Sequence, residues 1–170
     1  MRLMFPALMS CLLPHSAVAL DIIEHGVICD APIGRPVPAP DTVSGILNTI
    51  EQGLAFDVTT TVVPAELGLT FGIRAALPQG SPAIDLTVVV THPPMGPSGQ
   101  QVESWPTTVY PDAPALNLFT FEEPFELIEG PWHFALMQGE ETLAEKQFTI
   151  TPKGTAPEVQ SICFGAMILS

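Results

Sequence analysis

Residues 130–150 read GPWHFALMQGEETLAEKQFTI, and this stretch has the clearest pattern of a β-hairpin in the chain. Large apolar residues occupy every second position from Trp132 to Leu136, which predicts a half-buried strand that opens at Gly130-Pro131. Residues 138–141 predict a turn, and residues 143–150 predict the returning strand of a β-hairpin. Leu143 and Phe148 are five positions apart, so a regular strand would place them on opposite faces. We therefore expect either a β-bulge between them or a Leu143 that packs at the rim.

The same alternation recurs upstream of the hairpin. With Thr60 as the one exception, apolar residues occupy every second position in residues 56–62, 69–77 and 84–90. Segments rich in proline and glycine predict the turns between them, at residues 64–68, 78–82 and 92–97. Short strands at this spacing are typical of an all-β protein. We predict an antiparallel, immunoglobulin-like β-sandwich of about seven to nine strands.

The ends of the chain show weaker patterns. Residues 20–29 predict a strand with Ile23, Val27 and Cys29 on one face. Residues 31–41 are rich in proline and predict an extended connection. Apolar residues at helical spacing behind Asp41 predict a short helix in residues 43–50. Residues 159–169 predict an additional edge strand that carries Cys163.

Length and charge limit the classes of function. The chain has 170 residues and is 46% hydrophobic, enough for the core of one domain, which we place at residues 20–170. Its 18 Asp and Glu against 5 Lys and Arg give a formal charge of −13. Nucleic acids and anionic lipids bind basic surfaces, so this balance excludes both as partners.

Residues 1–19 have the pattern of a secretory signal peptide. Arg2 supplies a positive charge, residues 3–13 form a short apolar run, and Ala17-Val18-Ala19 provides the small residues of a cleavage site. A buried N-terminal strand or helix is the alternative. We expect a mature chain that begins at Leu20 and is periplasmic or secreted. No other stretch approaches the roughly twenty apolar residues of a spanning helix, so we expect no integral membrane span.

The three cysteines predict one disulfide. Cys11 would leave with the signal peptide, and Cys29 and Cys163 would remain as an even pair in an exported chain. Their disulfide would tie the first strand to the last and stabilise the fold by an upper figure of about 4–5 kcal/mol. Two buried free thiols are the alternative.

Several motifs in combination resemble a known bacterial family. They are VPAELG (residues 63–68) with FGIR (residues 71–74), VTHPP (residues 90–94), FEL (residues 125–127) with GPWHF (residues 130–134), and LAEKQF (residues 143–148). The family is domain of unknown function 3859, and the resemblance covers about residues 22–151. It implies a small β-rich domain, often behind an export signal, with no assigned reaction. The tryptophan hairpin also resembles the closing strands of immunoglobulin-like periplasmic domains.

Candidate chemistry is sparse. The patterns identify no catalytic residue, and His25, His92 and His133 lack zinc-ligand spacing. Glu122, Glu123, Glu126 and Glu129 crowd one stretch, where they would either bind calcium or form an exposed acidic connection that aids solubility. Trp105 stands between Ser104 and Pro106, and we place it near an exposed loop where it would stack on a sugar or peptide.

Regular strand patterning without convergent reactive groups favours a non-catalytic exported domain. We expect it to bind or support another macromolecule of the cell envelope, either a protein or a ligand that the sequence does not identify. The alternative is a divalent-metal or small-ligand binding protein that uses the four glutamates of residues 122–129. Calcium is the one cofactor that this alternative implies.

Overall fold

The computed structural model describes residues 19–165, and strands dominate this part of the chain. The strands are β1 (Asp21–Ile28), β2 (Pro36–Pro38), β3 (Ile46–Asn48), β4 (Val62–Pro64), β5 (Thr70–Ala76), β6 (Ile84–Met95), β7 (Gln100–Val109), β8 (Ala115–Thr120), β9 (Gly130–Gln138) and β10 (Glu141–Thr151). A short 3₁₀ helix spans Pro124–Glu126, and α1 spans Pro157–Cys163. The predicted signal peptide and its apolar run lie outside the described residues.

Two sheets pack face to face around one core. One sheet has the order β1-β5-β8 and the other has the order β4-β10-β9-β6-β7, with every pairing antiparallel except that of β4 with β10. The predicted antiparallel sandwich is therefore confirmed, and these two sheets contain eight strands. At one side of the sandwich the edge strands β7 and β8 approach each other, and at the other side β1 approaches β10.

Aromatic rings join the two layers. Phe71 on β5 is fully buried, and its ring centroid lies 5.3–5.7 Å from those of Trp132, Phe134 and Phe148 on the opposite sheet. Edge-to-face pairs of this kind each add about 0.5–1.5 kcal/mol to the free energy of burial. Phe71 is consequently the centre of the contact between the sheets.

The hairpin of β9 and β10 has the predicted irregularity. Phe148 pairs with Trp132, but the register shifts between Thr142 and Ala144. The bulge therefore falls at Leu143, which lets this residue pack partly against the core although Phe148 is fully buried. Of the two alternatives for Leu143, the β-bulge is correct.

The helix predicted in residues 43–50 is wrong. Ile46–Asn48 forms strand β3, which pairs with β2 from the proline-rich segment. Gly45, at φ +71°, turns the chain between the two strands, a conformation that interrupts a helix. We call residues 31–50, which contain this small sheet, the flap.

The edge strand predicted in residues 159–169 is also wrong where the structure describes it. Residues 157–163 form α1, with Pro157 in the first turn, where its missing N–H costs nothing. Val159 anchors this helix in the core. Residues 166–170 lie outside the described part of the chain.

Three smaller predictions need correction, and two strands were missed. In residues 56–62, Val58 pairs only with Val27, and regular pairing begins at Val62. The turn predicted at residues 92–97 comes later, because β6 continues to Met95. Ile23 is exposed rather than inward-facing, since the register of β1 shifts between residues 22 and 24. Strands β7 and β8 were not predicted.

The disulfide between Cys29 and Cys163 is present. The two Cα atoms are 5.0 Å apart across a sequence separation of 134 residues. Because Cys163 ends α1, the bond ties the residue after β1 to the C-terminal helix, not to a last strand as predicted.

No helix within residues 19–165 has the length and apolar character needed to cross a membrane.

Candidate functional site

A cleft lies at the side of the sandwich where the edge strands β7 and β8 approach each other. The flap covers it, and Ser104 of β7 donates its backbone N–H to the carbonyl of Asp41 in the flap at 3.1 Å. The cleft encloses about 60 Å³. Its lining comes from the flap, β7, β8 and the segment around the 3₁₀ helix: Ala31, Pro32, Ile33, Ser44, Ile46, Leu47, Asn48, Ile50, Glu103, Trp105, Leu118, Phe119, Thr120, Glu122 and Glu126.

Glu103 is the deepest charged group of the cleft. It pairs with Val90 across the β6–β7 ladder on the core-facing side of β7, and only 4% of its surface is exposed. One carboxylate oxygen, Oε1, accepts a hydrogen bond from the Val43 N–H at 3.2 Å. Burial raises the pKa of Glu103 to about 7, against the opposing effect of this hydrogen bond, and the charge of Glu126 raises it further.

Glu126 is the second buried carboxylate. It ends the 3₁₀ helix, is 6% exposed, and accepts hydrogen bonds through Oε2 from the N–H groups of Glu122 at 2.6 Å and Glu123 at 2.9 Å. Burial raises the pKa of Glu126, while these two hydrogen bonds act in the opposite direction. Glu126 therefore holds the loop before the 3₁₀ helix in place through these hydrogen bonds, and it also lines the cleft.

Trp105 occupies a different place from the one predicted. It lies within β7 opposite Val88 and is buried, because Glu103, Trp105 and Val109 share the core-facing side of the strand. The exposed loop expected around it is wrong. Trp105 does line the cleft, and on its other side it lines a second hollow under the flap.

The four glutamates of residues 122–129 do not lie together. Glu122 and Glu126 line the cleft, whereas Glu123 and Glu129 are exposed and are not part of its lining. Within residues 19–165 no three His, Cys, Asp or Glu side chains come together in a group that would hold a metal ion. The calcium site stays a prediction, and of the four glutamates only Glu122 and Glu126 lie in the cleft.

The histidines are dispersed. His92 is buried in β6, where its ring stacks on Trp132 with centroids 4.7 Å apart and its Nδ1–H donates to the Pro93 carbonyl at 2.8 Å. Burial lowers the pKa of His92, against the opposing effect of its hydrogen bond to the Pro93 carbonyl. Nε2 of His133 lies 3.5 Å from Oε2 of Glu145, and the ring of His25 packs edge-on to that of Phe148.

Sequence reasoning missed Glu103. The signal was present, because Trp105 and Val109 are apolar residues at even spacing from Glu103 in a stretch bounded by turns. A strand assigned to residues 100–109 would have placed the carboxylate on the inward face.

The comparisons with known proteins identify a family but no activity. A family model described as "Domain of unknown function (DUF3859)" matches residues 18–150. Among solved structures, the chain is similar to an immunoglobulin-like protein from Pseudomonas aeruginosa determined at 1.50 Å resolution. The identity is 27%, the match covers 81% of this chain and 100% of the other, and the TM-score is 0.46. No curated protein matches the chain.

Proposed function

Because the chain belongs to the DUF3859 family, whose description carries no activity, we propose a function from the cleft itself. The protein is a non-catalytic exported domain that binds another macromolecule of the cell envelope, and the cleft under the flap is its binding surface.

One observation carries this proposal: two buried carboxylates line a cavity that opens between the edge strands of the sandwich. Burying a carboxylate is costly unless a partner compensates its charge. The lining residues in the described chain include no lysine or arginine. Glu126 caps the 3₁₀ helix, but Glu103 accepts only one described hydrogen bond, so the placement of Glu103 is better explained by a ligand that arrives from outside.

The rim of the cleft supports a macromolecular partner. Ile33 is 61% exposed and Ile46 is 43% exposed, and both lie on the flap at the mouth of the cleft. Large exposed apolar side chains next to a pocket are typical of protein-binding surfaces. The partner therefore gains apolar contact at the rim and polar contact at the floor.

The lining also favours binding over catalysis. The residues that line the cleft include neither histidine nor cysteine, so no Ser–His or Cys–His pair can be assembled from them. Glu126 is already engaged by two backbone N–H groups. The Cys29–Cys163 disulfide is compatible with an oxidising, exported compartment.

Site-specific photo-crosslinking tests the proposal. A photo-reactive residue is placed at Ile46 on the rim, with Tyr110 as the matched control, since Tyr110 is similarly exposed and follows the far end of β7. In the native cell we expect adducts of defined mass from position 46, and their loss when Ser44→Arg fills the mouth of the cleft. Equal adducts from both positions, or none from position 46, would contradict the proposal.

A divalent-metal or small-ligand binding protein is the second candidate, because Glu122 and Glu126 both reach the cleft that contains Glu103. Calorimetric titration with calcium decides it. Binding heat together with a raised melting temperature would favour the metal, and the absence of both would remove it.

A further inference from the structure

We infer that the partner inserts a lysine or arginine side chain, carried on an extended basic segment of a protein, into the floor of this cleft. The inference rests on the proposed function and adds the chemistry of what is recognised.

Burial divides the cleft into a rim, walls and a floor. The rim residues Ile33 and Ile46 are exposed, while the floor residues Glu103 and Glu126 are almost fully buried. Between them the walls are mostly apolar, with Leu47, Ile50, Leu118 and Phe119 in the lining. A ligand that enters must therefore pass an apolar section before it reaches a negative charge.

Long basic side chains match this arrangement. Lysine and arginine have an apolar stem of three or four methylene groups that ends in a cation, and the stem packs well on apolar surface. A cavity of about 60 Å³ has room for several water-sized groups, since one water needs about 15 Å³. Trp105 and Phe119 add aromatic surface to the same cavity, which attracts cations as well.

Each of the two floor carboxylates has one oxygen that accepts no hydrogen bond from the described residues. The Val43 N–H is the one described donor to the Glu103 carboxylate, which leaves Oε2 of Glu103 to accept from a ligand. Glu126 accepts both of its described hydrogen bonds through Oε2, so Oε1 is free in the same way. An ammonium group with three donors, or a guanidinium group with five, would satisfy these oxygens and reduce the repulsion between the two carboxylates.

Charge complementarity extends beyond the floor. Glu122 stands at the mouth of the cleft, and the whole chain carries a formal charge of −13. A field of this sign accelerates the approach of a basic segment and discourages acidic ones. The apolar rim supplies contacts to the neighbouring residues of that segment, which a free amine would not make.

Proton linkage supplies a signature of the pairing. Burial raises the pKa of Glu103 to about 7. Because a cation binds the ionised carboxylate, binding below that pH must release the proton that Glu103 carries. For one linked proton the affinity is about tenfold weaker at pH 6 than at pH 8. Glu122 and Glu126 are the other titratable groups that line the cavity, and protonation of Glu126, whose pKa burial also raises, acts in the same direction.

Selection from a random nonapeptide library, displayed against the folded full chain at pH 8, tests the inference. We expect recovered peptides to share a lysine or arginine at one fixed position. A synthetic lysine peptide from this set should bind at least tenfold more tightly than its norleucine counterpart. Glu103→Gln should reduce that difference several-fold, since Glu126 and Glu122 remain, whereas Glu158→Gln, which removes one exposed charge on α1, should leave it unchanged.

Each outcome has a distinct meaning. Peptides that bind the cleft without a basic preference, or that bind Glu103→Gln and the parent chain equally, overturn the inference and leave the binding function standing. Recovery of no peptide, together with no adducts from position 46, overturns the binding function itself. Circular dichroism checks that each variant is folded, and Glu126→Gln repeats the comparison if Glu103→Gln is not.

Discussion

Replacing Glu103 by glutamine should stabilise the protein at neutral pH. Glutamine has nearly the same shape, and its amide oxygen can still accept the Val43 N–H, but it never has to be ionised in a buried position. The parent carboxyl has an ordinary pKa of 4.5 in the unfolded chain and a pKa of about 7 in the folded chain. The difference between these values sets the size of the effect.

The sign follows from the order of the two pKa values. Below pH 4.5 the carboxyl is protonated in both states, so it adds no pH dependence to stability. Between pH 4.5 and 7 the unfolded chain ionises while the folded chain keeps its proton, so the parent protein loses stability as the pH rises. The difference between a pKa of 4.5 and a pKa of about 7, at 1.36 kcal/mol for each tenfold change in proton affinity, amounts to about 3 kcal/mol, reached near pH 8.

Urea denaturation of the parent and Glu103→Gln at pH 4, 5, 6, 7 and 8 measures this directly. We expect free energies of unfolding that nearly coincide at pH 4 and diverge by about 3 kcal/mol in favour of the variant at pH 8. Glu158→Gln serves as the control and should follow the parent at every pH. A variant that is less stable than the parent at pH 8, or a difference that does not change with pH, would show that burial does not raise the pKa of Glu103.

Three further predictions concern the scaffold and its processing. Serine at both Cys29 and Cys163 should lower the free energy of unfolding by at most about 5 kcal/mol, as measured with urea, and a loss below about 1 kcal/mol would show that the disulfide constrains little. Gly72→Ala should cost about 2–3 kcal/mol because the new Cβ would lie 2.1 Å from a backbone oxygen of β8, whereas Gly53→Ala, which meets nothing within 4 Å, should be nearly neutral in the same thermal-melting assay. Intact-mass analysis of protein recovered from its native cell should show a chain that begins at Leu20 and is two hydrogens lighter than its reduced form; an uncleaved precursor would contradict export.

The parts of the fold that were predicted are those with sustained alternation. Strands β5, β6 and β9 each bury one face against a large core, so their apolar residues recur at every second position over five or more residues, and β10 was predicted as the returning strand of the hairpin. The β-bulge at Leu143 could be predicted because Leu143 and Phe148 are five positions apart, a spacing that a regular strand places on opposite faces. The disulfide required only the count of cysteines that would remain after removal of the predicted signal peptide.

The parts that were missed depend on contacts between distant segments. The flap strands are three residues each, too short for a period to be measured, and β3 pairs with a proline-rich segment that has no strand signal of its own. Residues 157–163 form α1 although its apolar residues were consistent with an edge strand, a known ambiguity of short segments.

The candidate site was predicted only in part for a related physical reason. Glu122, Glu126 and Trp105 were selected for their residue types, but the cleft that unites them exists only once the flap folds over β7 and β8. Glu103 departs from the rule that inward positions of a strand are apolar. Such departures from a local pattern concentrate at functional sites.

Titration of the Glu103 side-chain carboxyl by ¹³C nuclear magnetic resonance shows whether the cleft holds a buried carboxylate that is available to a cation. We predict a midpoint near pH 7 in the free protein and a lower midpoint when a lysine peptide is bound. A midpoint near 4.5, unchanged by the peptide, would show that Glu103 is an ordinary solvated carboxylate and would contradict the account.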